Sequence, residues 1–516
     1  MNKIFFNLLV AFIFCFKAEA QVHYKYTDLL KSLTQDNRNV VTEIPDLNLF
    51  YSAKTIQDIS AIGKKQNYAR MISLQKHLPQ FIETSVIKKL IQKKVMTIVI
   101  VPGLLTEFVT LGSFDDIFKR DSSSKREWTD LLRKTKTTDS VYNLENLAIE
   151  KTPLSNVIQV ASIDDSDGQP LIKLVELRTP FGSLETLGNI HDKASVFARR
   201  LQKYVDLTHD ENLVLLGYSR GTPLALEMIT QAKIYGYGFL KNVSSLVSYS
   251  GVVMGSSLAD LTDDPKSQTG LVYAAAKKLL SDLQTSDSVI DLPLRYAQNS
   301  AAVTAFLVKI AFNADIDSKL LLRSALTNDF SSTAALIKAA TDQLGYGSLF
   351  DFNGHVNRTK KFISELITAV DELKTSHRAK WWQTHTVPKN IKYLSIAAAM
   401  ADPLKSDIEK EIYNANVGYN NSTDDALLQV LRRDFEKSSG YALNDSQVGL
   451  HQSLFLPALI ETLNPQNAGL NIETLGLLQT HHWAVVVRNV NAMHDGRMNP
   501  FPRESVLMSL AAYLNQ

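Results

Sequence analysis

Cysteine is nearly missing: Cys15 is the single one in 516 residues, which excludes a disulfide-dense fold. Charge of one sign is missing as well. The formal net charge is only +2, which argues against a nucleic-acid binder and against strong electrostatic capture of anionic polymers. Beyond the N-terminus no stretch reaches about 18 consecutive apolar residues, so a membrane bundle is not expected. Tandem repeats and compositionally simple tracts are also absent. What is present is an ordinary globular balance, 45% apolar and 21% charged, which rules out a disordered tail and supplies a large core. Two or three domains fit this length, as does one α/β domain carrying an insertion.

Residues 1–20 read as a secretory signal peptide. Lys3 gives the positive start, Ile4 to Phe16 form an apolar run interrupted by Asn7, and Ala18-Glu19-Ala20 supplies the small residues of a cleavage site. The run is short for a bilayer span of about 20 residues. Cys15 follows bulky Ile13 and Phe14, which does not suit a lipoprotein signal. Losing Lys3, Lys17 and Glu19 with the leader would bring the charge from +2 to about +1. The expected mature protein is soluble and exported, periplasmic or extracellular. Having no thiol, it must draw its chemistry from Ser, His, Asp, Glu or Lys.

Residues 21–94 form an N-terminal extension without a chemical motif; Ile72, Leu74, Phe81, Ile82 and Ile87 could cover a sheet face. At Val95 the pattern changes. Val95 to Val101 is almost continuously apolar and mostly β-branched, and Pro102-Gly103 ends it, as in an interior strand of a parallel sheet. Further strands are expected at Lys173 to Leu177, Asn212 to Leu216, Val243 to Ser250, Ile391 to Ala397, Ile472 to Leu478 and Trp483 to Val487. Ala194, Phe197, Ala198, Leu201 and Val205 recur mainly at three and four residues and predict a helix. Between about 261 and 390 the strand rhythm stops. Ala301 to Ala311, and Ile363, Leu366, Ile367, Val370 and Leu373, carry helical stripes, so this stretch is read as a mostly helical insertion over the sheet's carboxyl edge. The competing reading is a separate helical domain. Phe501 to Leu514, with Val506, Leu507, Leu510 and Leu514 on one face, reads as a closing helix.

The strand Asn212 to Leu216 runs without a linker into Gly217-Tyr218-Ser219-Arg220-Gly221 and then into a helical pattern in which Pro223 falls within the first turn. A serine at such a strand-to-helix junction points its hydroxyl out of the sheet, and the flanking glycines remove side chains that would collide there. An alcohol is a poor nucleophile at neutral pH and needs a base; histidine suits, with a carboxylate to hold its tautomer. Of eleven histidines, His481, His482 and His494 follow the last sheet strands. His482 is preferred, before apolar Trp483-Ala484-Val485. His481 is the alternative, and His494 reads as a surface-loop residue. For the acid, Asp445 in a polar turn is preferred and Asp402, after the strand Ile391 to Ala397, is the rival. An oxyanion formed at the serine would need preplaced donors. The backbone N–H of Arg220 is one, and that of Leu104 the other, with Leu105 as an offset choice.

These segments resemble the serine esterases and lipases of the α/β-hydrolase superfamily. Val101-Pro102-Gly103 is similar to the oxyanion strand and turn, the Ser219 pentad to the nucleophile elbow, and Gly255-Ser256-Ser257-Leu258-Ala259-Asp260 to the segment after the next strand. Asn444-Asp445-Ser446-Gln447-Val448 resembles the acid loop, with Ser446 where a glycine is common. His482-Trp483-Ala484-Val485 resembles the base segment, with His481 replacing a usual acidic residue. The resemblance implies an α/β-hydrolase fold, with a mostly parallel central sheet and a largely helical cap insertion. Its core would comprise residues 95–260 and 391–516 around a cap at 261–390. It further implies acyl transfer to Ser219, with His482 as base and Asp445 as acid, followed by hydrolysis, without metal or organic cofactor. Leu320-Leu321-Leu322 in the cap could line an acyl channel, favouring an apolar, lipase-like ester. The expected partners are an ester or lipid substrate and transient contact with a lipid surface, with no nucleic acid and no stable transmembrane insertion. An amidase, phospholipase or polyester hydrolase, or a non-catalytic binding protein on the same scaffold, are the alternatives.

Overall fold

The computed structural model describes residues 40–41, 44–68, 95–104, 136–143, 157–164, 170–177, 186–267, 352–416 and 423–485, with isolated positions between 269 and 281 and between 506 and 514. Nine strands form one sheet among them: β1 Val40–Val41, β2 Met96–Val101, β3 Lys136–Asn143, β4 Val157–Asp164, β5 Pro170–Leu177, β6 Leu213–Tyr218, β7 Val243–Tyr249, β8 Lys392–Ala398 and β9 Asn471–Leu478. Their spatial order is β1-β9-β8-β7-β6-β2-β5-β4-β3. From β5 through β2, β6, β7 and β8 to β9 every neighbouring pair is parallel. Antiparallel pairing is confined to the two edges, where β4 joins β5 and β3, and β1 joins β9. The sheet is mostly parallel, is flanked by helices and has the α/β-hydrolase topology.

Both faces of the central strands are covered, and this explains their unbroken apolar sequence. Val99, Val101, Leu213 and Leu215 join the main core cluster, while the alternating Ile98, Ile100, Val214 and Leu216 are buried outside it. Helix α3 (Ile190–Thr208) contributes Ala194, Phe197, Ala198, Leu201 and Val205 to that cluster, the stripe expected from sequence. The side chain of Asn189 caps this helix by accepting N–H bonds from His191 and Asp192 at 2.8 and 3.2 Å. Helix α4 (Gly221–Tyr235) starts directly after β6 and is buried from Gly221 to Ala232, and the short helix α5 (Ser257–Asp260) follows β7.

The N-terminal extension adds β1 and two short helices, α1 (Leu47–Ser52) and α2 (Ile56–Gly63), with Phe50 fully buried in the core. Residues 72–87 lie outside the described residues, as do the leader 1–20 and Leu320-Leu321-Leu322. Most of the expected cap, 268–351 apart from the isolated positions between 269 and 281, shares that status. Its final part consists of α6 (Phe352–Asp371) and α7 (Thr375–Thr384). Helix α7 inserts Trp382 into the core, where its indole N–H donates to the Val253 carbonyl at 3.2 Å.

Three strands, β1, β3 and β4, were not expected from sequence. The strand expected at Trp483 to Val487 does not form over its described residues, which make a turn instead. Ala484 and Val485 are apolar because this turn is buried against β7, with the Tyr249 hydroxyl donating to the Val485 carbonyl at 3.2 Å. Within the expected closing helix, Val506 and Leu510 are helical and buried, Leu514 is helical and partly exposed, and Leu507 lies outside the described residues.

Candidate active site

Ser219 occupies the junction between β6 and α4 with φ 53°, in the left-handed region that L-residues rarely adopt. The surrounding backbone holds it there. Its N–H donates to the Tyr249 carbonyl at 3.3 Å, and its carbonyl accepts from Thr222 and Val252, both at 3.1 Å. The two glycines of the pentad permit this closeness. A Cβ at Gly217 would lie 2.6 Å from the backbone of Thr222, and one at Gly221 would lie 2.0 Å from the Val101 carbonyl oxygen. Gly103 serves the same end from the β2 turn, because a Cβ there would come within 2.8 Å of the Ser219 and Tyr218 side chains. The turn carrying Leu104 is therefore packed directly against the serine.

His482 is buried, and its Nδ1 lies 2.6 Å from Oδ2 of Asp445. The two residues are also joined through the backbone, as the His482 N–H donates to the Asp445 carbonyl at 2.9 Å. Asp445 is fully buried, and its other oxygen, Oδ1, accepts from the backbone N–H groups of Gln447 and Val448 at 3.0 and 2.7 Å. A carboxylate fixed in this way accepts, which places the imidazole proton on Nδ1 and leaves Nε2 as the acceptor. Nε2 is buried without a hydrogen-bond partner among the described residues. The ring stacks on Tyr218 with centroids 5.1 Å apart, and the Tyr218 hydroxyl donates to the His482 carbonyl at 2.8 Å. The residue immediately before Ser219 thus holds the histidine from below.

The structure brings Asp445, not Asp402, to His482. Asp402 faces Arg433 at 2.9 Å and Arg432 at 3.3 Å and accepts the Leu404 N–H, an ion-pair cluster at the end of β8. The ring of His481 caps the following turn, its Nδ1 accepting the Ala484 N–H at 3.0 Å. His494 and Leu105 lie outside the described residues. Arg220 is the first residue after Ser219 and leads into α4, so its backbone N–H lies at the helix N-terminus. Among the described residues there is no group of three or more His, Cys, Asp or Glu side chains that could hold a metal. No helix of theirs is long and apolar enough to cross a membrane.

No family model matches the chain, and no curated protein matches it. Among solved structures the chain is similar to the metagenomic carboxyl esterase MGS0156, at 16% identity over 81% of this chain and 75% of that one, with a TM-score of 0.37. It is also similar to the lipase BlEst2 of Bacillus licheniformis in its mature form, at 12% identity over 75% of this chain and 84% of that one, with a TM-score of 0.30.

Sequence reasoning passed over two supports of the site. Tyr218 was named only as a member of the pentad, although its ring stacks on the buried His482. The segment 255–260 proves to be a brace. The Ser256 hydroxyl donates to the Gln447 carbonyl in the acid loop, and Asp260 accepts the backbone N–H and side-chain hydroxyl of Thr375.

Proposed function

We propose that the protein is an exported serine hydrolase that cleaves carboxylic esters through an acyl-enzyme on Ser219. His482 Nε2 takes the hydroxyl proton as Ser219 attacks the carbonyl carbon, then returns it to the departing alcohol. Water repeats the sequence in reverse to release the acid. Asp445 holds the imidazole tautomer and stabilises the imidazolium. The backbone N–H groups of Arg220 and Leu104 serve the oxyanion. The observation that carries this reading is the buried His482 ring, held at Nδ1 by Asp445 and stacked on Tyr218, the residue before Ser219, with Nε2 left without a hydrogen-bond partner among the described residues.

The acyl chain is proposed to be apolar and lipase-like. Each buried methylene would contribute about 0.8 kcal/mol, roughly fourfold in kcat/KM. A p-nitrophenyl ester panel of increasing chain length tests this. Turnover that rises with chain length and disappears in Ser219→Ala supports the reading; equal hydrolysis by wild type and Ser219→Ala overturns it. Export belongs to the same proposal, and protein recovered outside the cytoplasm should begin at Gln21.

A further inference from the structure

Arg220 contributes more than its backbone, because its guanidinium is fully buried. A buried cation is costly unless it is matched, so its partners are informative. Nη1 donates to the Thr186 carbonyl at 2.6 Å, and Nη2 donates to the Gly188 carbonyl and, at 3.2 Å, to Oε2 of Glu372. The same Oε2 accepts the N–H of Ile190, the first residue of α3, at 2.7 Å. Helix α6 grips this turn a second time, with the Gly188 N–H donating to the Glu365 carbonyl at 2.9 Å. Glu372 follows the last residue of α6, so the descending end of the expected cap segment reaches the residue next to Ser219. One carboxylate oxygen thereby ties the start of α3 to the elbow.

We propose that Glu372 is a positioning residue for the oxyanion hole. By clamping the Arg220 side chain against the turn at 186–190, it fixes the peptide N–H that faces the developing oxyanion. This inference rests on the proposed serine-hydrolase reading. The mechanical reason lies in Ser219, whose left-handed backbone is the strained part of the elbow. Its strain can relax if the Ser219–Arg220 peptide tilts, and the anchored guanidinium opposes that rotation. The charge of a second buried arginine, Arg378 of α7, also acts on Glu372 and on Glu227. Burial pushes the Glu372 carboxyl up, and the charge of Arg220 opposes that rise.

The test compares full-length wild type with Glu372→Gln, which keeps the size and one acceptor oxygen, and with Glu372→Ala, which removes both. Active sites are counted by fluorophosphonate labelling, and kcat and KM are measured on a p-nitrophenyl ester. The inference expects kcat per labelled site to fall several-fold in Gln and roughly ten- to one-hundredfold in Ala, with KM within about twofold. The rate constant of phosphonylation should fall in parallel, because the phosphonyl oxygen uses the same donors. A merely structural residue would lower the melting temperature and the labelled fraction while leaving kcat per labelled site intact, and that result overturns the inference. If Glu372→Ala does not fold, an unchanged kcat in folded Glu372→Gln overturns it equally. Wild type that takes no label at Ser219 removes the hydrolase reading itself and the inference with it.

Discussion

Replacing Asp445 by Asn should nearly abolish turnover without unfolding the protein, and the geometry says why. Oδ1 of Asp445 accepts two backbone N–H groups, from Gln447 and Val448, at 3.0 and 2.7 Å. An asparagine must keep its carbonyl oxygen at that position, since turning the amide over would set its NH2 against two donors. The NH2 group is then aimed at His482 Nδ1, which the aspartate approaches to 2.6 Å. An amide N–H there forces Nδ1 to accept, moves the imidazole proton to Nε2 and removes the base proposed for Ser219. A wrong tautomer of this kind lowers kcat by about ten-thousandfold, or roughly 5 kcal/mol in the barrier. The side chain keeps its shape and most of its bonds, so circular dichroism should match wild type. The assay is hydrolysis of a p-nitrophenyl ester by folded Asp445→Asn and Asp402→Asn proteins. Asp445→Asn retaining more than about a tenth of wild-type kcat would refute the tautomer argument.

Asp402→Asn should change stability rather than chemistry. Removing one partner of its buried pair with Arg432 should cost about 3 kcal/mol in denaturant unfolding, with kcat per folded molecule unchanged. Burial raises the Asp402 carboxyl, but hydrogen bonds from Arg433 and Leu404 and the charges of Arg432 and Arg433 outweigh it and hold the carboxyl below its usual range. Its contribution is therefore complete above about pH 4 and is lost as pH falls further, a loss that Asp402→Asn should not show. Ser446 adopts φ 84° and its buried hydroxyl has no hydrogen-bond partner among the described residues. Ser446→Gly should stabilise the protein by about 1 kcal/mol through backbone relief, seen as a higher urea midpoint, whereas Ser446→Ala should not reproduce that gain. His451, stacked on Phe50 and met edge-on by Tyr441, has its pKa lowered to about 3 by burial. With the unfolded value near 6.5, stability held above that pH falls by about 1.4 kcal/mol per pH unit below it, and His451→Phe should flatten the urea-midpoint profile in that range.

The parallel centre of the sheet was legible because strands buried on both faces must be apolar throughout, as Val99 to Val101 and Leu213 to Leu216 are. The edge was not legible. β3 reads Lys-Thr-Thr-Asp-Ser-Val-Tyr-Asn, and a strand outside the doubly covered centre carries no continuous apolar run. Trp483 to Val485 misled in the opposite direction, since a buried turn is as apolar as a strand. Ser219 was legible because its conformational demand falls on adjacent residues, the two glycines. The choice of Asp445 and His482 was narrowed by their neighbouring residues and by resemblance, and their contact is a property of the folded loops. The Arg220–Glu372 clamp left no trace, because its partners are separated by 152 positions and Glu372 reads as the polar end of an amphipathic helix.

Covalent labelling of the intact protein with a fluorophosphonate, followed by peptide mass mapping, tests the nucleophile most directly. The mass should appear on the peptide containing Ser219 and vanish in Ser219→Ala. A label on another residue, or none on folded protein, would contradict the assignment of Ser219 as the attacking group.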